Sequence, residues 1–496
     1  MFVATHPFAF FDYFRIPYEV RPRPQGAGAL AGAPTFVHGV SAAGQAGRRA
    51  CSLLWLGMDA SLASTLRTFP LGRYQLRDFT FFGHVAPEAT VPAILQDPGR
   101  GWHAADPISD AQGHRVASIW RHCDGSIFLP FDPGEVMNQF WSEQYLTVGH
   151  SAAAAAGRAA LTQGYYLLRP ALPRRLQLRL RRAFTRVQAR TSFPAWPIED
   201  SLHDLYRWLF TSVTEVAGRP VPFLSLWPGG RSWAMVLTHD VETGAGYRDM
   251  GLLRNLEREG GYRSSWNFVA LRYPVDDDTV RALHDEGCEV GVHGLRHDGR
   301  DLGSRRLMEK RLPAIREYAG RWNAAGFRSP STQRAWELMP RLGFDYDSSY
   351  SDTDPYEPQP GGCCSYLPFL NQGMVELPIT LPQDHTLFCI VQDSGADTWL
   401  RKARHLRARG AMALVLTHPD YAGDPQLAEG YRALLDAFEC DDTVWHALPS
   451  EVATWWRQRS ASTVGWDGHG WSVQGPASAS GTVSFTTFDE VQSASR

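Results

Sequence analysis

Nowhere does the chain run about 18 apolar residues without interruption, so its hydropathy gives no reason to expect a membrane-spanning helix. Cysteine is scarce: Cys51, Cys123, Cys288, Cys363, Cys364, Cys389 and Cys440 are the only seven in 496 residues. The count is odd, no pair is spaced CxxC, and the adjacent Cys363 and Cys364 suit a disulfide poorly. That usage fits a reducing compartment better than a secreted disulfide framework. An excess of charge of one sign is also missing. Lys and Arg number 49 against 52 Asp and Glu, a net charge of -3, which argues against nucleic-acid binding by charge alone. The opening segment, MFVATHPFAFFDYFRIPYEVRPRPQG, lacks the basic n-region, long apolar core and small-residue cleavage site of a signal peptide. A soluble cytoplasmic protein is therefore expected, long enough at 496 residues for two or three domains.

Four regions separate by pattern. Residues 1–150 carry short mixed segments such as CSLLWLGM and VASIWRHCDGSIFLPFDP, which read as an accessory α/β domain without a catalytic motif. Residues 151–219 read as a helical, basic connector. Its centre, LPRRLQLRLRRAFTRVQART, places Leu172, Leu176, Leu180, Ala183, Phe184 and Val187 on one helical face, with arginines around the rest. Such a helix docks on protein with its arginines solvated, or makes a peripheral contact with anionic lipid or a phosphate-bearing substrate. From 220 to 458, strand-like segments (WAMVLTHD, SSWNFVA, CEVGVHG, AGFRSPS, FDYDSSY, VELPITL, AMALVLTHP, TVWHALP) alternate with helix-like ones. Eight strands in a βαβα rhythm imply a mostly parallel sheet, closed or distorted into a barrel, with reactive groups at the strands' C-terminal ends. Residues 459–496 are rich in Ser, Gly and Thr, and the alternation in TVSFTTF suggests a small β appendage with a frayed end.

The strand ends carry the chemistry. A buried strand can take Met235, Val236 and Leu237 at little cost, but the polar cluster that follows them costs free energy unless paired, hydrated or bound to a metal. Asp240 and Glu242 stand two apart on a strand and point to one side. His293 and His297, in HGLRHDGRD, stand four apart, which puts both imidazoles on one face if a helical turn begins there. Two histidines and a carboxylate are the ligand set of many catalytic zinc sites. Later strand ends add Arg328 (FRSP), Asp347 (DYDSS) and His418 (LTHPD). Singly, each has an ordinary use as a cap, a turn former or a surface charge. Five such signals in order along one βα array are harder to assign to chance. His239 is expected to turn away as a packing or supporting residue, and Trp266 to pack rather than to bind a ligand.

On these segments the chain resembles the polysaccharide deacetylase family, the NodB-homology domain of carbohydrate esterase family 4. THDVE is similar to its acidic motif, HGLRH to its two-histidine motif, FRSP to Arg-x-Pro, YDSSY loosely to the fourth motif, and LTHP to the final Leu-x-His. About 240 residues are covered. The resemblance implies a distorted (β/α) barrel and metal-dependent removal of N- or O-acetyl groups. Glu242, His293 and His297 would hold the metal, Asp240 would be the base, Arg328 would orient it, and His418 would be the acid. Three departures stand out. Val241 separates the two carboxylates, which leaves the reverse assignment of ligand and base open. Gly294 replaces a Ser or Thr, removing a supporting hydrogen bond. RSPST lacks the aromatic residue and glycine that often follow Arg-x-Pro.

The expected activity is thus acetyl removal from a small or carrier-linked sugar in glycoconjugate or exopolysaccharide synthesis. A divalent ion is implied, zinc first, with cobalt, nickel or manganese as alternatives. Asp347 is expected to fix the His418 tautomer, with Asp345 and Asp352 as nearby competitors. Two other readings are hydrolysis of a cyclic amide or imide of the allantoin kind on the same barrel, and a non-catalytic glycan-binding scaffold. Retention of all six polar residues speaks against the scaffold.

Overall fold

The computed structural model describes residues 8–22, 34–37, 52–58, 60–95, 101–148, 193–393 and 395–486. The basic segment 172–191 and the end of the tail beyond residue 486 lie outside them. Among the described residues, no helix is long and apolar enough to cross a membrane. The chain divides into two compact units, one built on Leu226–Arg457 and the other on Phe2–Ser151, Asp200–Ser225 and Gln458–Arg496.

In the second of these, β1 (Glu19–Pro22), β2 (Pro34–Val37), β3 (Leu53–Trp55), β4 (Leu71–Leu76), β5 (Phe79–His84), β6 (Trp102–Asp110), β7 (Arg115–His122) and β8 (Ile127–Leu129) form one sheet. Its order is β1-β2-β3-β8-β7-β6-β4-β5. Neighbours run antiparallel except β3 and β8, which are parallel. The helix Ser201–Ala217 buries Leu202, Leu205, Leu209 and Val213, the helical spacing of an amphipathic face. Its Trp208 ring lies 6.5 Å from Phe79 and 6.4 Å from Phe131.

The division differs from the expected one. The helix Ser201–Ala217 lies in the expected connector and residues 459–496 are the expected tail, yet both group with the N-terminal sheet. Pairing ties the tail to the segment that follows this helix: β9 (Pro222–Leu224) runs antiparallel to the strand Val483–Phe485. Arg459, 1% exposed, adds a buried link. Its guanidinium donates to the carbonyls of Tyr13 (2.6 Å), Leu224 (3.0 Å) and Ser225 (3.2 Å). The alternation at the end of the chain does form strands, including the hairpin Thr463–Trp466 with Trp471–Gln474.

The Leu226–Arg457 unit is the expected βα array. Its strands are β10 (Trp233–Val241), β11 (Ser265–Phe268), β12 (Glu289–Val292), β13 (Gly326–Phe327), β14 (Tyr346–Asp347), β15 (Phe369–Asn371), β16 (Met374–Glu376), β17 (Met412–Thr417) and β18 (Val444–His446). The order is β15-β16-β14-β13-β12-β11-β10-β17, with β18 also on β10. Every pairing is parallel except β15 with β16. All nine residues of β10 are buried, as a strand covered on both faces requires.

All eight strands read from the sequence lie in this sheet, and β15 is an addition. The curl closes irregularly. Past β16 the amides of Thr380 and Leu381 donate to the Leu414 carbonyl at 3.2 and 3.0 Å, and Thr380 Oγ1 donates to the Met412 carbonyl. This is the distorted barrel expected, with one seam made by a non-strand segment. Local signals set the helices between. Thr243 caps Gly244–Glu259 by accepting from the amides of Ala245 and Gly246, and Ser304 caps Arg305–Trp322 by accepting from Leu307.

Arg459→Leu leaves three carbonyls in the N-terminal unit without their donor, and each orphaned group costs about 1–3 kcal/mol. Calorimetry is expected to show one transition moved to lower temperature, with the second transition held. An unchanged thermogram would contradict this role.

Candidate active site

Parallel strands with a common direction bring their C-terminal ends to one rim. Asp240 comes from β10, His293 follows β12, Arg328 follows β13, Ser348 follows β14 and His418 follows β17. The pocket at that rim is lined by Asp240, Glu242, His293, His297, Leu416 and His418, with Ser331, Thr332, Glu357, Gln383, His385 and Tyr421 around them.

His293 Nδ1 lies 3.1 Å from the carbonyl oxygen of Arg328. A carbonyl only accepts, so Nδ1 carries the proton and Nε2 keeps a free lone pair. Nε2 is buried and has no partner among the described residues. Burial pushes the imidazole down to about 4, so it is neutral near pH 7. Glu242, His293 and His297 each offer an atom to a group spanning no more than 4.8 Å. Glu242 Oε1 and His297 Nε2 meet at 2.9 Å. Burial would raise the Glu242 carboxyl, but His297, His418 and His293 hold it well below its ordinary range. A neutral imidazole with a bare nitrogen, a second imidazole and an ionised carboxylate form a donor set that fits a divalent cation. Asp240 is not a member of that group.

The two histidines reach this arrangement without the helical turn suggested by their spacing. Gly294 takes φ +68 and His297 φ +53, and the segment is a loop. A Cβ at residue 294 would stand 2.5 Å from Asp301 Oδ2 and 2.6 Å from Pro330, so both the left-handed backbone and the close approach call for glycine. Asp301 steadies this turn by accepting from the Leu295 amide at 3.0 Å.

Asp240 is 1% exposed. Its Oδ1 accepts from Asn267 Nδ2 at 2.9 Å and from Arg328 Nη1 at 3.2 Å, and its Oδ2 lies 3.5 Å from His293 Nδ1. Burial alone would raise this carboxyl; His293, Arg328 and His418 bring it below the ordinary range, so it is ionised at neutral pH. Arg328 is equally buried, and its other donors go to the Ser348 carbonyl (2.7 Å), Ser348 Oγ (2.7 Å) and Thr238 Oγ1 (2.8 Å).

Asp347 does not approach His418, contrary to the expectation that it fixes the tautomer. Its carboxylate accepts from the Ser349 amide (2.8 Å) and Ser349 Oγ (2.7 Å), and Ser349 Oγ in turn accepts from the Ser329 amide (2.8 Å). The DSS run thus holds the backbone behind Arg328. The competitors are engaged elsewhere, Asp345 with Arg457 at 3.3 Å and Asp352 with Lys402 at 2.6 Å. The carboxylate on His418 is Asp384: its Oδ1 lies 2.6 Å from Nδ1, and its Oδ2 accepts from the His418 amide at 2.6 Å. Burial would lower the imidazole, but Asp384, with Glu242 and Asp240, pushes it up to about 10. His418 Nε2 is left facing the pocket, 3.9 Å from Glu242 Oε1.

His239 turns away, as expected. It stacks on Trp266 with ring centroids 4.1 Å apart, and its nitrogens reach Glu257 (2.6 Å) and Thr417 (2.8 Å). Trp266 is fully buried. Among the residues that sequence reasoning passed over are Gln383, which lines the pocket, and Asp384, which pairs with His418, although a usable signal exists. They follow the strand-like VELPITL, so the rule that polar residues gather at strand ends applies to PQDH as well.

No protein-family model and no curated relative matches the chain. Solved structures do. A Mycobacterium smegmatis protein described as a candidate polysaccharide deacetylase matches at 21% identity and TM-score 0.38, over 47% of this chain and 92% of its own. The allantoinase PuuE matches at 20% identity and TM-score 0.38, over 46% and 91%. A probable polysaccharide deacetylase from Pseudomonas aeruginosa PAO1 matches at 18% identity and TM-score 0.40, over 49% and 97%. Two of these three carry the name of the family that the motifs resemble. Likeness at this level decides neither substrate nor reaction.

Purified protein incubated with zinc and desalted is expected to retain about one equivalent by elemental analysis, because three ligands commonly hold a catalytic ion. The His293→Ala, His297→Ala double variant is expected to retain little, and equal metal in both proteins would remove the site. A second experiment concerns the buried pair across β14 and β16. Burial pushes Asp347 up to about 6, and burial with Asp347 alongside pushes Glu376 well above its ordinary value. Above the ordinary carboxyl range the folded chain therefore holds a proton that the unfolded chain has released, so stability falls as pH rises. Urea unfolding is expected to find Glu376→Gln more stable than wild type at pH 8 and no more stable at pH 4. The opposite ordering would sink this account.

Proposed function

We propose that this protein is a divalent-metal-dependent hydrolase that removes acetyl groups from an N- or O-acetylated sugar. The substrate is a small or carrier-linked sugar of the kind used in glycoconjugate or exopolysaccharide synthesis, and the compartment is cytoplasmic. One observation carries the reading: a single pocket holds three titratable groups in three different states. His293 is neutral with a bare Nε2, Asp240 is ionised on Arg328, and His418 is protonated on Asp384. Groups driven apart in this way mark acid and base assignments.

Glu242, His293 and His297 would hold the ion, with zinc the first candidate and cobalt, nickel or manganese the alternatives. When bound, such an ion polarises an acyl oxygen and acidifies water, so that a nucleophile exists near neutral pH. Asp240 takes a proton at its carboxylate from the attacking water. Arg328, with every neighbour fixed, keeps that carboxylate ionised and aimed. Burial removes competing water from the pair and strengthens the field at the reacting carbon. His418, its Nδ1 committed to Asp384, delivers a proton from Nε2 to the departing amine or alkoxide. Asp384 keeps the tautomer and the charge that this step requires. The same groups would serve a cyclic amide, and Ser331 and Thr332 line the pocket where the resembled motif often has an aromatic residue and a glycine, so a cyclic amide is the alternative outcome of the assay.

Acetate release from N-acetylglucosamine, free and nucleotide-linked, is the test, with allantoin as the comparison. Asp240→Asn is expected to lower kcat about 10²–10⁴-fold while retaining the metal. Loss of metal in Asp240→Asn but not in Glu242→Gln would reverse the two roles. Asp384→Asn removes the group that raises His418, so the alkaline limb of the rate profile is expected to move down towards neutrality. A limb that stays in place would rule out His418 as the acid.

A further inference from the structure

The turn after Arg328 carries two successive non-glycine residues in the left-handed region, Ser331 (φ 56) and Thr332 (φ 48). Thr332 is the more costly of the two, because a β-branched side chain crowds its own backbone there and a glycine would not. Its backbone is pinned on both sides. The amide donates to the Ser329 carbonyl at 3.1 Å, and the carbonyl accepts from Arg334 Nη1 at 2.9 Å. The residue is 3% exposed, and its Oγ1 has no hydrogen-bond partner among the described residues. Strain and an unsatisfied hydroxyl thus fall on one residue, and the fold itself gains nothing visible from either. That residue lines the pocket.

Gln383, on another segment that lines the same pocket, repeats the unpartnered polar atom without the strain. It is 6% exposed, its backbone carbonyl accepts from the Leu387 amide at 2.9 Å, and its side-chain Nε2 has no partner among the described residues. It stands one residue before Asp384 and lines the same pocket. Native proteins pair their buried polar groups, so two orphans on residues that line one pocket point to something that enters it. The remaining wall is also polar, since the buried Glu357 carboxylate contributes to it.

We propose that Thr332 Oγ1 and Gln383 Nε2 bind two polar atoms of the substrate beside the scissile bond, which selects a hydroxylated ring over an acylated alkyl chain. This rests on the hydrolase reading of the pocket. The chemistry of the two groups defines the complement. Gln383 Nε2 only donates, so it takes an acceptor oxygen. Thr332 Oγ1 donates or accepts, so it suits a hydroxyl. A ring with neighbouring oxygens satisfies both groups and an apolar chain satisfies neither. A site that leaves its own buried groups unpaired rejects analogues that lack the matching atom. Neither residue moves a proton; both set where the acyl group lies relative to Asp240 and His418.

The test uses the zinc-loaded full chain and three variants, Thr332→Gly, Thr332→Ser and Gln383→Leu, read by melting temperature and by calorimetric affinity for N-acetylglucosamine. Thr332→Gly is expected to melt at or above wild type, because strain and an orphan hydroxyl are removed together. Its affinity and that of Gln383→Leu are expected to fall roughly ten-fold, the effect of one lost hydrogen bond, while Thr332→Ser restores the wild-type value. In turnover the loss should sit in KM more than in kcat. A lower melting temperature for Thr332→Gly would assign the residue a structural role and overturn the proposal. So would unchanged affinity in Thr332→Gly and Gln383→Leu. Wild-type protein that binds the sugar and shows the variant pattern but releases no acetate would refute the hydrolase reading and leave this pair standing. Wild-type protein that binds neither this sugar nor allantoin would overturn both.

Discussion

Everything at this rim depends on one buried guanidinium. Arg328 is 1% exposed, so its charge is tolerable only because acceptors surround it. Those acceptors come from β10 (Thr238 and Asp240) and from Ser348 at the end of β14. Its carbonyl meanwhile receives His293 Nδ1. One residue thus ties three strand ends together, fixes the ionisation of Asp240 and sets the tautomer of His293. A lysine could not do this, because its single ammonium lacks the planar fork that meets several acceptors in fixed directions.

The electrostatic differentiation of the pocket follows from that arrangement. Three ionisable groups share one small pocket, yet each is held in a different state. Asp240 has Arg328 and His418 has Asp384, while His293, whose Nδ1 donates to the Arg328 carbonyl, is kept neutral by its burial. Removal of any one partner leaves an uncompensated charge or the wrong tautomer, at a cost of several kcal/mol for a buried ion. The buried network on the far side of β10, where Glu257 joins His239, Tyr431 (2.5 Å) and Ser264 (2.6 Å), holds the strand that presents Asp240. Stability and the proposed chemistry share these contacts.

Much of this was legible in the sequence because a parallel strand buried on both faces is apolar until it ends. The abrupt change from MVLT to HDVE therefore marks a rim, and the same change recurs before His293, Arg328 and His418. The eight strand segments came out in one sheet for that reason. Other features were hidden by tertiary context. The spacing of His293 and His297 suggested a helical turn, whereas Gly294 bends the chain the other way because Asp301 and Pro330 leave no room for a side chain. Asp347 looked like the partner of His418 because it stands at a strand end. The true partner, Asp384, follows a segment that closes the barrel without being a strand, and nothing local to LPQDH says which histidine it meets. The composition of the tail pointed to an appendage, but only the pairing of Val483–Phe485 with Pro222–Leu224 reveals where it belongs.

The most direct test of the central claim is a crystal of the zinc-loaded protein with anomalous scattering recorded at the zinc edge. The account predicts one strong peak bounded by Glu242, His293 Nε2 and His297, with Asp240 still on Arg328. A peak coordinated by Asp240, or zinc found only outside this pocket, would contradict it.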